Sequence, residues 1–167
     1  FQGGRDADDK NAAALDFDVR DLDFVVITHA HIDHSGLLPR LAARGFSGPV
    51  YATPATIDLL GVMLPDSAHI HEMEFARAHE VEPRHRGRGT RFPNRGAARG
   101  DPVAAPLYTV ADAQRSLSLL VPVAYDRLFE PKASIRFRFR DAGHILGSSI
   151  VELWADIEAG TRKLVFS

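Results

Sequence analysis

The densest chemistry in this sequence lies in THAHIDHSG, residues 28–36, where three histidines and an aspartate fall within the six positions from His29 to His34. His29 and His31 are two apart, so in extended backbone both imidazoles project to one side and can share one ion. Asp33 and His34 are adjacent and must diverge, which suits a second ion a few ångströms away. The spacing itself proposes two metals. Neutral imidazole is a good zinc ligand, and a carboxylate adds a hard, charge-neutralising one. A lone histidine is ordinarily a surface or core residue, but H-x-H-x-D-H directly after an apolar run points to metal. To close the first ion a further histidine is needed. FRDAGHILGSS offers His144, beside Gly143 and Gly147, where a tight turn lets backbone approach the ion. Ser148 and Ser149 read as a turn residue and the start of a strand rather than as a catalytic hydroxyl.

The other histidines carry less. His69 and His71 are two apart on a helical stretch and face different sides, and His79 is two turns further on. His71, His79 and His85 read as exposed or structural, and His69, in DSAHI, is a candidate for the rim of a site.

The elements that must hold these residues follow from the pattern. LDFVVIT, 22–28, is a continuous β-branched and aromatic run, the signature of a strand buried on both faces, with the histidines at its C-terminal end. A helix is expected over 36–44, with Pro39 in its first turn and Gly45 just past its end. PVYAT reads as a short strand. A helix opens at Thr53 as N-cap with Pro54 at its first position, and a third helix spans 67–80. Beyond Pro83, 83–106 holds six arginines against one aspartate, with four glycines and four prolines. That composition reads as a solvated insertion, with a grip on an RNA backbone as the alternative. TVADAQRSLSLL returns to helix, with Thr109 and Asp112 at capping-box spacing. PVAYD, ASIRFRFRDAG, SSIVELWADI and RKLVFS then read as strands. The second alternates Ile135, Phe137 and Phe139 with Arg136, Arg138 and Arg140, whose arginines mark a solvent face. No internal repeat is present.

The totals narrow the classes. With 167 residues, one domain with a real core is expected. A net charge of -2 gives no global field towards nucleic acid or anionic lipid, so any such contact is local. The absence of cysteine excludes disulfides, thiolate metal sites and cysteine nucleophiles, leaving metal to His, Asp and Glu. No apolar run approaches membrane-spanning length, and the first residues have neither a basic nor an apolar leader region, so a cytoplasmic protein is the expectation.

Taken together, THAHIDHSG and DAGHILGS resemble the metallo-β-lactamase superfamily, and specifically its β-CASP nucleases of RNA processing. The first motif fits the whole superfamily; HILGS with DHSG narrows it. FQGG, LYTVADA and KLVFS match the same group, and the resemblance covers nearly the whole chain apart from the Arg-rich insertion. It implies an α/β fold, the αββα sandwich of two mixed, mostly antiparallel sheets with helices outside. It implies His29, His31 and His144 on one zinc and Asp33 and His34 on a second. The bridging aspartate and last ligating histidine would lie beyond Ser167, together with the β-CASP domain, and the first-strand aspartate before Phe1. The chain is therefore expected to be the N-terminal part of a metallo-β-lactamase domain, incomplete at both ends, and feeble or inert by itself.

For the intact protein the resemblance implies a zinc-dependent ribonuclease. On that resemblance two ions about 3.5–4 Å apart would share a hydroxide directed at an RNA phosphodiester, and Asp33 would orient it or accept its proton. The rivals are a small-molecule metallohydrolase of the same fold, a thioesterase or lactonase, and a non-catalytic scaffold paralogue. The scaffold reading predicts broken ligands, whereas all five testable ones are intact.

Overall fold

A computed structural model describes residues 15, 17–80 and 105–166. Most of the Arg-rich stretch, His85 and the side chain of His79 lie outside the described residues. In chain order the elements are β1 (Val25–Val26), α1 (Ile32–Ser35), α2 (Leu38–Ala43), β2 (Val50–Ala52), α3 (Pro54–Glu80), α4 (Val110–Leu117), β3 (Leu120–Pro122), β4 (Phe129–Lys132), β5 (Ile135–Asp141), β6 (Ser149–Ile157) and β7 (Gly160–Phe166). They build two sheets. β1, β2 and β3 pair in parallel, which requires crossovers, and α1 to α4 supply them. β4 to β7 form an antiparallel meander in sequence order. The mostly antiparallel character expected of both sheets is thus confined to one, because every connection within the first sheet passes through helices.

Period-two alternation sorts the apolar residues into two cores. Val50 and Ala52 of β2 face Leu60, Leu64 and Ala68 of α3 and Ala113 of α4, all fully buried. Tyr51, between them, faces the other way and packs with Val123, Phe137, Phe139 and Val151 in the layer between the sheets. The run 24–27 alternates likewise, Val25 and Ile27 towards the helices, Phe24 and Val26 towards the second sheet. The expected strand therefore packs on both faces but is only half-buried apart from Ile27, and its regular pairing shrinks to Val25–Val26, because β1 lies at the sheet edge.

The two helices expected either side of residue 65 are one, with Pro65 inside it. A proline in a helix interior costs about 3 kcal/mol. Fully burying a leucine gains roughly 1.5–3 kcal/mol, and Leu60, Leu64 and Ala68 form one buried stripe that only a continuous helix can present. Burial wins. The helix expected over 36–44 begins at Leu38, with Pro39 in its first turn, and a separate turn, α1, carries Asp33 and His34. Gly45 follows with φ +100°. At α4 both bonds of the capping box are made: Thr109 Oγ1 accepts from Asp112 N (3.2 Å), and Thr109 N donates to Asp112 Oδ2 (3.0 Å).

PVAYD is not a strand beyond its first residue, and β3 instead begins at Leu120, inside the stretch expected as helix. β3 ends at Pro122, and Asp126 sits in a turn at φ +62°. β4, FEPK, carries a proline and pairs only along the sheet edge, which hides it from pattern. The arginines of β5 are on the face away from the core, as expected, but each is paired: Arg136 with Asp156, Arg138 with Glu152, Arg140 with Asp126. Among the described residues no helix is long and apolar enough to cross a membrane.

Candidate metal centre

β1 ends against the start of β6, and the two sheets are joined there. The Thr28 carbonyl accepts from both Ser149 N (2.8 Å) and Ser149 Oγ (2.9 Å). This fixes the strand end immediately before His29. The next residues turn: His31 is the N-cap of α1, at φ -54° and ψ 140°, and its carbonyl accepts from the amides of His34 and Ser35. The buried Ser35 hydroxyl reaches back to the carbonyls of Ala30 (2.9 Å) and His31 (3.0 Å). A side chain at Gly36 would collide with the Ile32 carbonyl at 2.5 Å. The SG of the motif is therefore what lets the ligand loop close tightly.

His144 arrives from the loop between β5 and β6. Gly143 and Gly147 both take positive φ, +63° and +79°. The Ser148 hydroxyl accepts from the amides of His144 and Ile145, each at 3.1 Å. Ser148 is thus the turn residue read from the sequence, and Ser149 opens β6.

One potential ligand atom from each of His29, His31 and His144 falls within a group whose members all lie within 4.8 Å of one another. Two nitrogens on one tetrahedral zinc, each about 2.0–2.1 Å from it, stand about 3.3 Å apart. His144 Nε2 and His31 Nδ1 are 3.2 Å apart. The donor set fits zinc. His29 is buried, and burial, reinforced by the neighbouring His34, His31 and His144, lowers its pKa and favours the neutral imidazole that ligates metal. Thr28 Oγ1 lies 3.0 Å from His29 Nδ1, leaving Nε2 available.

Asp33 and His34, both exposed, stand beside this tripod rather than in it. The His34 ring packs against His29 at 4.2 Å between centroids. The two side chains do not diverge: His34 Nε2 is 3.6 Å from Asp33 Oδ2. On a helical turn, unlike a strand, adjacent side chains are not sent to opposite faces. Two donors for a second ion are consequently together.

His69 is exposed on α3 and is not among the three gathered imidazoles. His71 is structural, edge-on to Tyr108 at 5.1 Å. Sequence reasoning gave no part in the centre to Thr28, Ser35, Thr53, Thr56 or Tyr125, and read Thr53 only as a helix cap. None has a ligand's chemistry, and only Thr28 and Ser35 lie within the motif itself.

The family model described as the metallo-beta-lactamase superfamily matches residues 3–95. The chain is 31% identical over 140 residues to the transcription termination factor FttA of Methanocaldococcus jannaschii, covering 84% of this chain and 18% of that protein. It is 43% identical over 82 residues to ribonuclease TTHA0252 of Thermus thermophilus, covering 49% of this chain and 19% of that protein. The chain thus spans about a fifth of the length of these curated relatives. Among solved structures, a B3 metallo-β-lactamase with an active-site glutamic acid aligns over 91% of this chain and 43% of its own, at a TM-score of 0.51 and 18% identity.

Proposed function

Because the chain belongs to the metallo-beta-lactamase superfamily, we propose that it carries the first part of a two-zinc site that hydrolyses RNA phosphodiester bonds, in an enzyme of the β-CASP group. The observation that carries the reading is the convergence of three imidazoles from two different sheets onto one point. The similarity to a ribonuclease and to transcription termination factors supports RNA as the substrate class over a thioester or lactone. The remaining ligands are proposed to lie in the part of such a protein outside this chain. On that reading, 1–167 is the N-terminal part of its metallo-β-lactamase domain, and by itself would hold metal weakly and turn over little.

His29, His31 and His144 would hold the first ion, and Asp33 and His34 would contribute to the second. When bound, zinc supplies Lewis acidity that activates water at neutral pH and stabilises charge on phosphoryl oxygens. Asp33 is the residue of this chain proposed to orient the attacking water or accept its proton. Its exposed carboxylate lies 3.6 Å from His34 Nε2, and the His34 ring in turn packs on His29 of the tripod. Buried His29 holds the tripod's inner corner, while half-buried His31 and exposed His144 leave the opposite side open to a phosphate.

The test is cleavage of labelled single-stranded RNA by the longer protein in which this reading places the chain, loaded with zinc, compared with its chelated form and with its His144→Ala variant. Cleavage that depends on zinc and on His144 is the expected result. A zinc-loaded protein that leaves RNA intact while hydrolysing a thioester or lactone would replace this reading with its small-molecule rival.

A further inference from the structure

The loop that delivers His144 is closed on itself by Ser148, whose hydroxyl accepts from the amides of His144 and Ile145 and whose amide donates to the Ile145 carbonyl, and it is tied to the rest of the molecule by a distant part of the chain. Gly147 lies against the first turn of α3. Its carbonyl accepts from Thr53 Oγ1 (2.6 Å) and from Thr56 Oγ1 (2.8 Å), both threonines being fully buried. The two hydroxyls are 3.0 Å apart, and Thr53 Oγ1 also accepts from Thr56 N (3.3 Å), the N-cap bond of α3. A Cβ on Gly147 would meet Thr56 N at 2.4 Å, so the approach is as close as glycine permits. The next carbonyl, that of Ser148, accepts from Tyr125 Oη (2.8 Å).

The geometry points to Thr53 and Thr56 as positioning residues of the metal centre: their paired hydroxyls clamp the Gly147 carbonyl and thereby set where His144 meets His29 and His31. The inference rests on the zinc reading above. Ordinary helix capping would use one hydroxyl aimed at an amide. Here two threonines, 94 and 91 residues from their acceptor, converge on one carbonyl three residues from the ligand. His144 is exposed and lacks the packing that holds His29, so its placement depends on backbone anchoring. If the loop moves, Thr53 Oγ1 can still donate to Thr56 Oγ1 (3.0 Å), but the Thr56 hydroxyl loses the Gly147 carbonyl in a fully buried setting, so displacement carries a desolvation cost. The clamp also links β2, through the start of α3, to the loop preceding β6, independently of the Thr28–Ser149 contact.

The experiment is zinc affinity by competition with a chromophoric chelator, using the full chain. Thr53→Val/Thr56→Val is compared with wild type, with the conservative Thr56→Ser, and with Ser116→Ala. Ser116→Ala removes another buried hydroxyl bond, to Ala113 O on α4. Loss of an outer-shell partner weakens metal binding roughly 10- to 100-fold, and that loss is expected for the double valine variant. Thr56→Ser is expected to retain wild-type affinity, as is Ser116→Ala. Should the double variant not fold, Thr56→Val alone is read in its place. Wild-type affinity in the valine variants overturns the clamp and leaves the zinc reading standing. An equal loss in Ser116→Ala also overturns it, by tracing the effect to general destabilisation. Absence of zinc binding in the wild type itself overturns both.

Discussion

At the scale of single residues, the three imidazoles that the fold gathers were legible because chemistry restricts them. Few roles other than metal binding want three imidazoles and a carboxylate in six positions, and His144 shares a glycine-rich turn with no competing histidine. Their supports were not legible, since threonine, serine and tyrosine occur everywhere and acquire meaning only through contacts across some ninety residues of sequence. Glycine lies between the two cases. Gly147 could be read as a turn, but that its carbonyl serves as an acceptor for two buried hydroxyls could not. Gly147→Ala puts a side chain both at φ +79° and against the backbone of α3. A non-glycine residue forced into such a conformation costs of order 1–3 kcal/mol, and the collision adds to it. Urea denaturation is expected to show a loss of at least that size, with an unchanged m value if the denatured state is unaffected.

At the scale of elements, helices and strands with strong periodicity came out near their true places. The errors lie where tertiary packing overrides local signals: Pro65 absorbed into one helix, β1 cut short at an edge, β4 hidden by its proline. The face of β5 is the instructive case. Alternating arginines correctly mark the side away from the core, yet they are partners rather than free surface charge. Glu152 on β6 accepts from Lys163 Nζ (2.6 Å) and from Arg138 Nε (2.9 Å), and both cations lie over the Trp154 ring. Those bonds, from Lys163 first and then Arg138, hold its pKa down at about 2. A carboxyl depressed on folding contributes stability above its unfolded pKa, about 4.3, and loses it as pH falls through the folded value. Glu152→Gln is therefore expected to be less stable than wild type at neutral pH. The gap should close between roughly pH 5 and pH 2, the window set by these two values. Chemical denaturation at several pH values measures it; a gap that stays constant on acidification would dissociate Glu152 from the ladder's stability.

At the scale of the molecule, the centre sits at the end of the seam where the two sheets pack on a shared aromatic layer. His29 and His31 come from the end of the parallel sheet, His144 from a loop of the antiparallel one, and the hydrogen bonds across that seam include the Thr28–Ser149 pair, the threonine clamp and Lys132 Nζ to Asp23 Oδ2. A tripod that spans a seam makes metal binding an additional tie between layers, so affinity and stability are coupled. Binding to the native state alone at a free zinc concentration a hundredfold above Kd stabilises by about 2.7 kcal/mol. For a protein of this size each kcal/mol moves Tm by roughly 2–4 °C, so a rise on the order of 5–10 °C is expected when zinc is added, reversed by chelation. His144→Ala tests where that rise comes from. If the tie runs across the seam, removing the one ligand contributed by the antiparallel sheet abolishes most of the rise while costing little in the metal-free protein, since His144 is exposed and buries little surface. If instead zinc were held by the THAHIDHSG loop alone, the rise would survive in the variant, and the two sheets would be joined by their hydrogen bonds and the Phe137–Phe139 layer without help from metal.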